Sequence, residues 1–443
     1  SDSDLFSVAM MKGLLLATAL LVGALCAPWN HKYHGPAPSA SDDDGALWFD
    51  GQFMTHFDLT DRRTWSQRFF KNDEYHQEGG PVFLMIGGEG PESERCVSGH
   101  YYYNNFAQEM NGLILCLEHR FYGASVPTAD TAMGSMELLT SEQGLEDLVH
   151  FKRWYAETFL SYEADWVVVG GSYSGALAAW ARSKYPHQFA AALASSAPVR
   201  TVYAYPEYLE VIKTDIGPVC SDRVDQAIQA ATTMLETVAG RKELTSLFNL
   251  CDMIGSSDMD KANFMESITD PLAGVCQYAS GTDVQDACDI VLEDGLEPIA
   301  AYANLIKQQT TDTCLVTNYQ AMVQQLQNTD PTSPSLSSRS WTYQTCTEEG
   351  FFQVADSSVP WSQYISLDYF DNICQNVFGL PLVPDTEHTN SHYGSDYPRA
   401  TNIFYANGSV DPWHVLSVLE DIPGYEETQP HVLMTGTSHC ADM

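Results

Sequence analysis

Four apolar residues, Trp166 to Val169, run into Gly170-Gly171-Ser172-Tyr173-Ser174-Gly175 and then into the helix-forming stretch Ala176-Leu177-Ala178-Ala179-Trp180. A buried strand that passes straight into a helix through small residues leaves few folds open, because the chain must turn sharply at a sheet edge and lift one residue out of it. That residue is Ser172. In a G-x-S-x-G elbow the positions two before and two after the serine crowd together, so glycine is favoured at both. Gly170 fills the first, while Ser174 stands at the second and Gly175 follows. Ser174 as nucleophile would put Ser172 at the preceding glycine position and push the elbow two residues into the helix. A glycine-rich turn holding a serine for no chemical reason is the bland alternative, and partners elsewhere in the chain must decide against it.

A chain of 443 residues can bury a large core. Its 58 acidic against 21 basic side chains give a formal charge of -37, which would repel any phosphate surface and excludes nucleic acid or an anionic membrane as main partner. Such a surface suits an acidic compartment and equally suits plain solubility. Met11-Lys12 precede an uncharged, leucine- and alanine-rich run from Gly13 to Ala27, with Ala24 and Cys26 spaced for cleavage. Residues 1–27 therefore read as a leader: upstream residues plus a secretory signal peptide, shorter than the roughly 20 residues of a spanning helix. No membrane span is expected once it is removed. Residues 28–45, rich in Pro, Ser, Ala and Asp, read as a linker or pro-segment, with Asp42-Asp43-Asp44 a solvated acidic run.

Of eleven cysteines, ten follow the leader. None forms a C-x-x-C pair, so a disulfide framework in an oxidising compartment is favoured over zinc or thioredoxin-type chemistry, with its connectivity open. From residue 46 to 202, apolar β-branched runs alternate with helical patterns, the signature of βαβ units and a mostly parallel sheet. Strands are expected at Val82–Ile86, Leu113–Leu117, Trp166–Val169 and Phe189–Leu193, and a helix at Ser141–Phe159. Residues 203–353 are helical in pattern and hold six of the ten cysteines, which predicts a disulfide-stapled helical cap inserted over the sheet. Residues 354–443 return to the core, with strands at Asn402–Ala406 and His431–Met434.

A serine nucleophile needs a base and an acid that orients the base, and in α/β-hydrolases they follow in the order Ser, Asp, His from loops after late strands. Asp411 in Asn407-Gly408-Ser409-Val410-Asp411-Pro412-Trp413 and His439 in Gly436-Thr437-Ser438-His439-Cys440 fit that order. His414 lies too close to Asp411 in sequence, and His431 opens a strand. For the oxyanion hole, the Tyr173 amide supplies one donor and the Gly87-Gly88-Glu89-Gly90 loop the other, with Gly87 and Gly88 the candidates. Glu118 and Arg120 read as an ion-paired corner. Asn407 opens a glycosylation sequon too near Asp411 to be well exposed.

These residues, with Trp65-Ser66-Gln67-Arg68, Gly80 to Gly90, Glu118-His119-Arg120-Phe121-Tyr122-Gly123, Leu139-Thr140-Ser141-Glu142-Gln143, Ser195-Ser196-Ala197-Pro198 and Trp341-Thr342-Tyr343-Gln344-Thr345-Cys346, carry a resemblance. Over Phe49 to Met443 the chain resembles the prolyl-carboxypeptidase-like serine peptidases, which include lysosomal Pro-Xaa carboxypeptidase, dipeptidyl peptidase II and the thymus-specific serine protease, and it looks closest to the last branch. The resemblance implies an α/β-hydrolase core under a helical cap, Ser172, Asp411 and His439 as triad, and exopeptidase action on small peptides, often after proline, in lysosomes, vesicles or secretions. It implies no metal or organic cofactor. Thr55 stands where the family commonly has Asp, and this sequence stops four residues after His439 where relatives continue for tens of residues, so a missing terminal helix would bear on stability more than on chemistry. A carboxylic-ester hydrolase and a catalytically silent binding protein on the same scaffold are the competing readings. Monomer and homodimer are both open.

Overall fold

The computed structural model describes residues 45–99, 101–310, 313–359 and 361–443. The expected leader and nearly all of the 28–45 segment lie outside the described residues. Eight strands form one sheet in the order β1 (Leu47–Phe53), β2 (Thr64–Asn72), β4 (Leu113–Leu117), β3 (Val82–Ile86), β5 (Trp166–Gly171), β6 (Ala191–Ser195), β9 (Ile403–Gly408), β10 (His431–Met434). The β1–β2 and β2–β4 pairs are antiparallel and every later pair is parallel.

The central strands are apolar throughout because both faces are covered. Val82, Leu84, Ile86 and Val168 face α2 (Ser141–Phe159) and α3 (Tyr173–Lys184), while Phe83, Met85, Val167 and Val169 face α1 (Tyr103–Glu109) and the Cys96–Cys116 disulfide. Thr140 caps α2 by accepting from the Gln143 amide at 3.1 Å, the first half of a capping box. Leu145, Leu148 and Phe151 then bury one helix face. Two expected strands are displaced: β6 begins at Ala191, two residues late, and β9 runs Ile403–Gly408. Phe189 is apolar because it fills the core from a turn, and Asn402, at φ 59°, is in the left-handed region, which stops the strand from starting there.

Between β7 (Val202–Ala204) and β8 (Gly350–Phe352), which pair parallel, the chain is helical: α4 (Glu207–Asp215), α5 (Gly217–Leu235), α6 (Val238–Leu247), α7 (Asp258–Gln277), α8 (Asp283–Val291), α9 (Pro298–Gln309), α10 (Tyr319–Leu326) and α11 (Leu336–Gln344). Glycine is required at 350, since φ is +70° and a Cβ would come within 2.3 Å of the Val202 carbonyl. These helices bury their own core around α7, which packs against α4, α5, α8, α9, α10 and the later helix α12 (Leu367–Phe378). Cys220–Cys288 and Cys251–Cys314 staple the helical region internally, and Cys346–Cys374 ties its exit to α12. Cys276 and Cys440 carry free thiols. A last helix, α13 (Thr386–Tyr393), stacks Tyr393 on Trp180 of α3 at 4.3 Å. Among the described residues no helix is long and apolar enough to cross a membrane.

Candidate active site

Ser172 sits between β5 and α3 at φ 60°, ψ −131°, a strained backbone for a residue with a side chain. The strain follows from close packing of strand end against helix start. A Cβ on Gly170 would lie 2.1 Å from the Ser174 carbonyl oxygen, and one on Gly175 would lie 2.7 Å from that of Ser195. The second glycine of the elbow is therefore Gly175, which frees position 174 for serine. Ser174 is buried, with its hydroxyl donating to Gly171 O at 2.8 Å and accepting from Gly171 N at 3.1 Å. It is committed to holding the turn.

Asp411 and His439 come from the loops after β9 and β10, and those loops are pressed together backbone to backbone. Val410 N donates to Thr437 O at 2.9 Å, and a Cβ on Gly408 would meet the Ser438 and Thr437 carbonyls at 2.4 Å. His439 Nδ1 lies 2.9 Å from Asp411 Oδ1, the side chains being 4% and 0% exposed. By distance this is an ion pair, but the ring is turned off the line of a directed hydrogen bond and both ring nitrogens lack one. The distance is the more telling quantity, since a small ring rotation aligns the donor. Among the described residues, Nε2, on the ring edge away from Asp411, has no directed hydrogen-bond partner. Burial opposes a charge on His439, yet the Asp411 carboxylate and then the Cys440 thiol outweigh it and raise the imidazole well above its usual range.

The same segment adjoins the elbow. Cys440 N donates to Ser196 Oγ at 2.8 Å, Ser195 Oγ donates to Asp442, and a Cβ on Gly171 would lie 2.9 Å from Cys440 Sγ. Residues flanking Ser172 and His439 thus touch. From above, Gln277 O at the end of α7 accepts the His439 amide at 2.9 Å, and the Tyr278 ring meets the imidazole edge-on at 6.1 Å. The rival histidines are placed otherwise: His414 turns Nδ1 to the Asp411 main-chain oxygen at 2.6 Å, and His431 begins β10.

As first residue of α3, Tyr173 has an amide without an intrahelical acceptor, the electropositive end of a helix. The Gly87 candidate needs correction. Its N–H donates to Leu117 O at 2.8 Å, which stitches β3 to β4 and takes it out of the oxyanion site. Gly88 follows 3.8 Å from Ser174 when measured from its would-be Cβ, and its amide steadies the Glu92 carboxylate, which burial pushes up to about 8. The charged corner is paired, though not internally. Arg68 holds Glu118 at 2.5 Å, and Arg120 grips both Asp147 oxygens at 2.6 Å while His56 reaches Asp147 at 2.7 Å.

One network escaped sequence reasoning. Tyr173 OH accepts from Gln344 Nε2 at 2.6 Å and lies 3.3 Å from Ser141 Oγ, which in turn donates to Glu349 at 3.0 Å and Glu348 at 3.1 Å. Two adjacent carboxyls are buried here, and among the described residues Glu349 Oε2 has no partner. Burial pushes Glu348 up to about 7 and Glu349 well above the carboxylate range. Among the described residues, Glu142, His388 and His392 bring potential metal ligands within 4.8 Å of one another, away from Ser172, Asp411 and His439 in sequence and element.

The strand order, with β2 antiparallel and a strained serine after β5, defines an α/β-hydrolase. Residues 52–443 match the family described as serine carboxypeptidase S28. The chain is 33% identical to the human thymus-specific serine protease over 436 residues, covering 92% of this chain and 83% of that one. It is 32% identical to the putative serine protease K12H4.7 of Caenorhabditis elegans, covering 88% and 82%, and 28% identical to the mouse lysosomal Pro-X carboxypeptidase, covering 93% and 89%. The chain belongs to the serine carboxypeptidase S28 family and is a serine-type peptidase.

Proposed function

We propose that the protein is a serine exopeptidase that cleaves small peptides through an acyl-enzyme, with Ser172 as nucleophile, His439 as base and Asp411 as the acid that orients it. The buried Asp411–His439 pair beside the strained elbow carries this reading. Ser172 Oγ attacks the peptide carbonyl as its proton passes to His439 Nε2, and Asp411 stabilises the imidazolium. The developing oxyanion is held by the Tyr173 amide and a second amide from the loop beyond Gly87. His439 then protonates the leaving amine, and water repeats the sequence on the ester to release the second product and restore Ser172.

Trp413, two residues after Asp411, is half-buried among Tyr205, Tyr208 and Phe351 at ring distances of 5.5, 5.3 and 5.4 Å. Aromatic faces of this kind pack a compact ring, which supports a preference for proline before the scissile bond. Four disulfides support passage through the secretory pathway. The test is covalent labelling by a fluorophosphonate probe, abolished in Ser172→Ala. Folded wild-type protein that takes up no probe would refute the reading in favour of a silent scaffold, and turnover of simple esters with no cleavage of peptides would refute it in favour of an esterase.

A further inference from the structure

Helix α13 stands on little buried surface. Of its eight residues only Thr389 and Tyr393 are buried, and a helix this short is marginal on its own in water. What fixes it is local and specific. Asp385 caps it by accepting from the His388 amide at 3.0 Å, Asn390 clasps Thr201 through hydrogen bonds of 2.9 and 2.8 Å, and Tyr393 stacks on Trp180. On the accessible side, positions 388 and 392 are both histidine. Their i, i+4 spacing puts them on one face, with ring centroids 5.6 Å apart and planes 22° from parallel. Glu142, in the first turn of α2, reaches the same face and brings Oε1 to 3.2 Å from His392 Nε2.

An ion pair would need one histidine. Here three donors from two helices converge, His388 included, with one ligand atom of each within 4.8 Å of the others. At metal–ligand bonds of about 2.0 to 2.2 Å, tetrahedral neighbours stand about 3.4 Å apart. Glu142 and His392 are already at that spacing, and His388 reaches it by turning one exposed side chain. The donor set chooses the ion: two imidazoles and a carboxylate suit zinc and the neighbouring divalent transition metals, whereas calcium and magnesium take oxygen ligands. Three protein ligands leave the fourth tetrahedral position to solvent. The Lys184 ammonium, over the Tyr393 ring at 5.6 Å, works against a cation here, while the Glu142 carboxylate and an overall charge of -37 work for it. The other convergence of ligand types among the described residues, Glu92 with Cys96 and Cys116, is spent on a disulfide.

We propose that Glu142, His388 and His392 form a site for a zinc-class divalent cation that clips α13 to α2. The site is separate from Ser172, Asp411 and His439, and it stands or falls independently of the hydrolase reading. Its place in the fold gives the clip something to hold. Both helices touch the buried Glu348–Glu349 pair, Ser141 Oγ of α2 donating to the two carboxyls and Thr389 Oγ1 of α13 to the Glu348 main-chain oxygen at 3.2 Å. Glu142 and the two histidines are far apart in sequence, so the three donors meet only in the folded chain and the ion stabilises that state by mass action.

The experiment is calorimetric titration of EDTA-treated, dialysed protein with zinc chloride, and with magnesium chloride for comparison, on wild type, Glu142→Gln, His388→Ala and His392→Ala. Wild type should bind zinc and show no comparable affinity for magnesium, and each variant should bind zinc at least about 10-fold more weakly. Zinc at about 100 times its Kd should raise the wild-type melting temperature by about 2 to 5 °C and leave that of the variants unmoved. Metal-free melting temperatures control for folding, and Glu142→Gln, which keeps the side chain's shape, carries the test where a histidine variant is less stable. Zinc affinity equal in wild type, Glu142→Gln and His388→Ala would put the ion on other histidines and overturn the proposal. Absence of zinc binding would overturn it too, as would magnesium bound as tightly as zinc, since the cluster would then be part of a diffuse acidic surface. None of these outcomes bears on fluorophosphonate labelling of Ser172, so the two readings fail separately.

Discussion

Replacing Asp411 by Asn removes one charge from a fully buried position and leaves its shape nearly unchanged. At 2.9 Å, a carboxylate and an imidazolium attract by about 6 kcal/mol for an effective dielectric constant of about 20. If the imidazolium formed during acylation loses that stabilisation, the rate falls by about four powers of ten. The pH profile adds a second, independent signature. In the wild type, Asp411 and the Cys440 thiol overcome burial and hold His439 above its ordinary range, so the neutral imidazole proposed as the base gains population only as pH rises. Without Asp411 the burial penalty gains the upper hand, and the acidic limb of the profile shifts to lower pH. The assay is the rate of fluorophosphonate labelling from pH 4.5 to about 9, with circular dichroism as a folding control. A plateau that falls while its acidic limb moves toward acid is expected. A variant labelled within about tenfold of wild type, or with its limb unmoved or shifted to alkaline pH, would refute the assignment of Asp411 as the group that charges and orients His439.

Two further outcomes follow from the elbow and from the buried glutamates. Ser174→Ala should keep labelling within about threefold, because Ser174 only pins Gly171, whereas Gly170→Ala, whose Cβ would lie 2.1 Å from the Ser174 carbonyl, should abolish labelling and lower the melting temperature. The opposite ranking would make Ser174 the nucleophile. Glu348 and Glu349, facing Ser141, Glu142 and Tyr173, have raised pKa values, so the folded state keeps protons that the unfolded chain gives up. Their stabilising contribution is complete below about 4.5 and is lost as pH rises toward about 7. The melting temperature should drop by a few degrees between pH 5 and 7.5, and Glu349→Gln should flatten that slope; an equal slope in both proteins would count against the buried pair as its source.

The parallel core was legible because strands covered on both faces read as unbroken apolar runs: Val82–Ile86 and Leu113–Leu117 have those bounds in the structure, as does the partly buried edge strand His431–Met434. The antiparallel strands β1 and β2 were not, since Asp50, Gln52, Gln67 and Arg68 interrupt any simple alternation. Gln52 and Gln67 are in fact buried and bonded to each other at 2.7 Å, a pairing that composition does not reveal. Glycine richness located the loop after β3, but which amides remain available depends on register, and Leu117 on the neighbouring strand claims Gly87. An even cysteine count suited a disulfide framework, yet parity says nothing of partners, and Cys276 and Cys440 carry free thiols.

The hydrogen bond from His439 N to Gln277 O joins the roof of the active site to its chemistry. A roof anchored in this way cannot swing clear as a free gate without pulling on the segment that carries the imidazole. Transplanting the helical region from a relative to change what is cut would also have to reproduce that single carbonyl. In this scaffold, selectivity and reactivity are not separable modules.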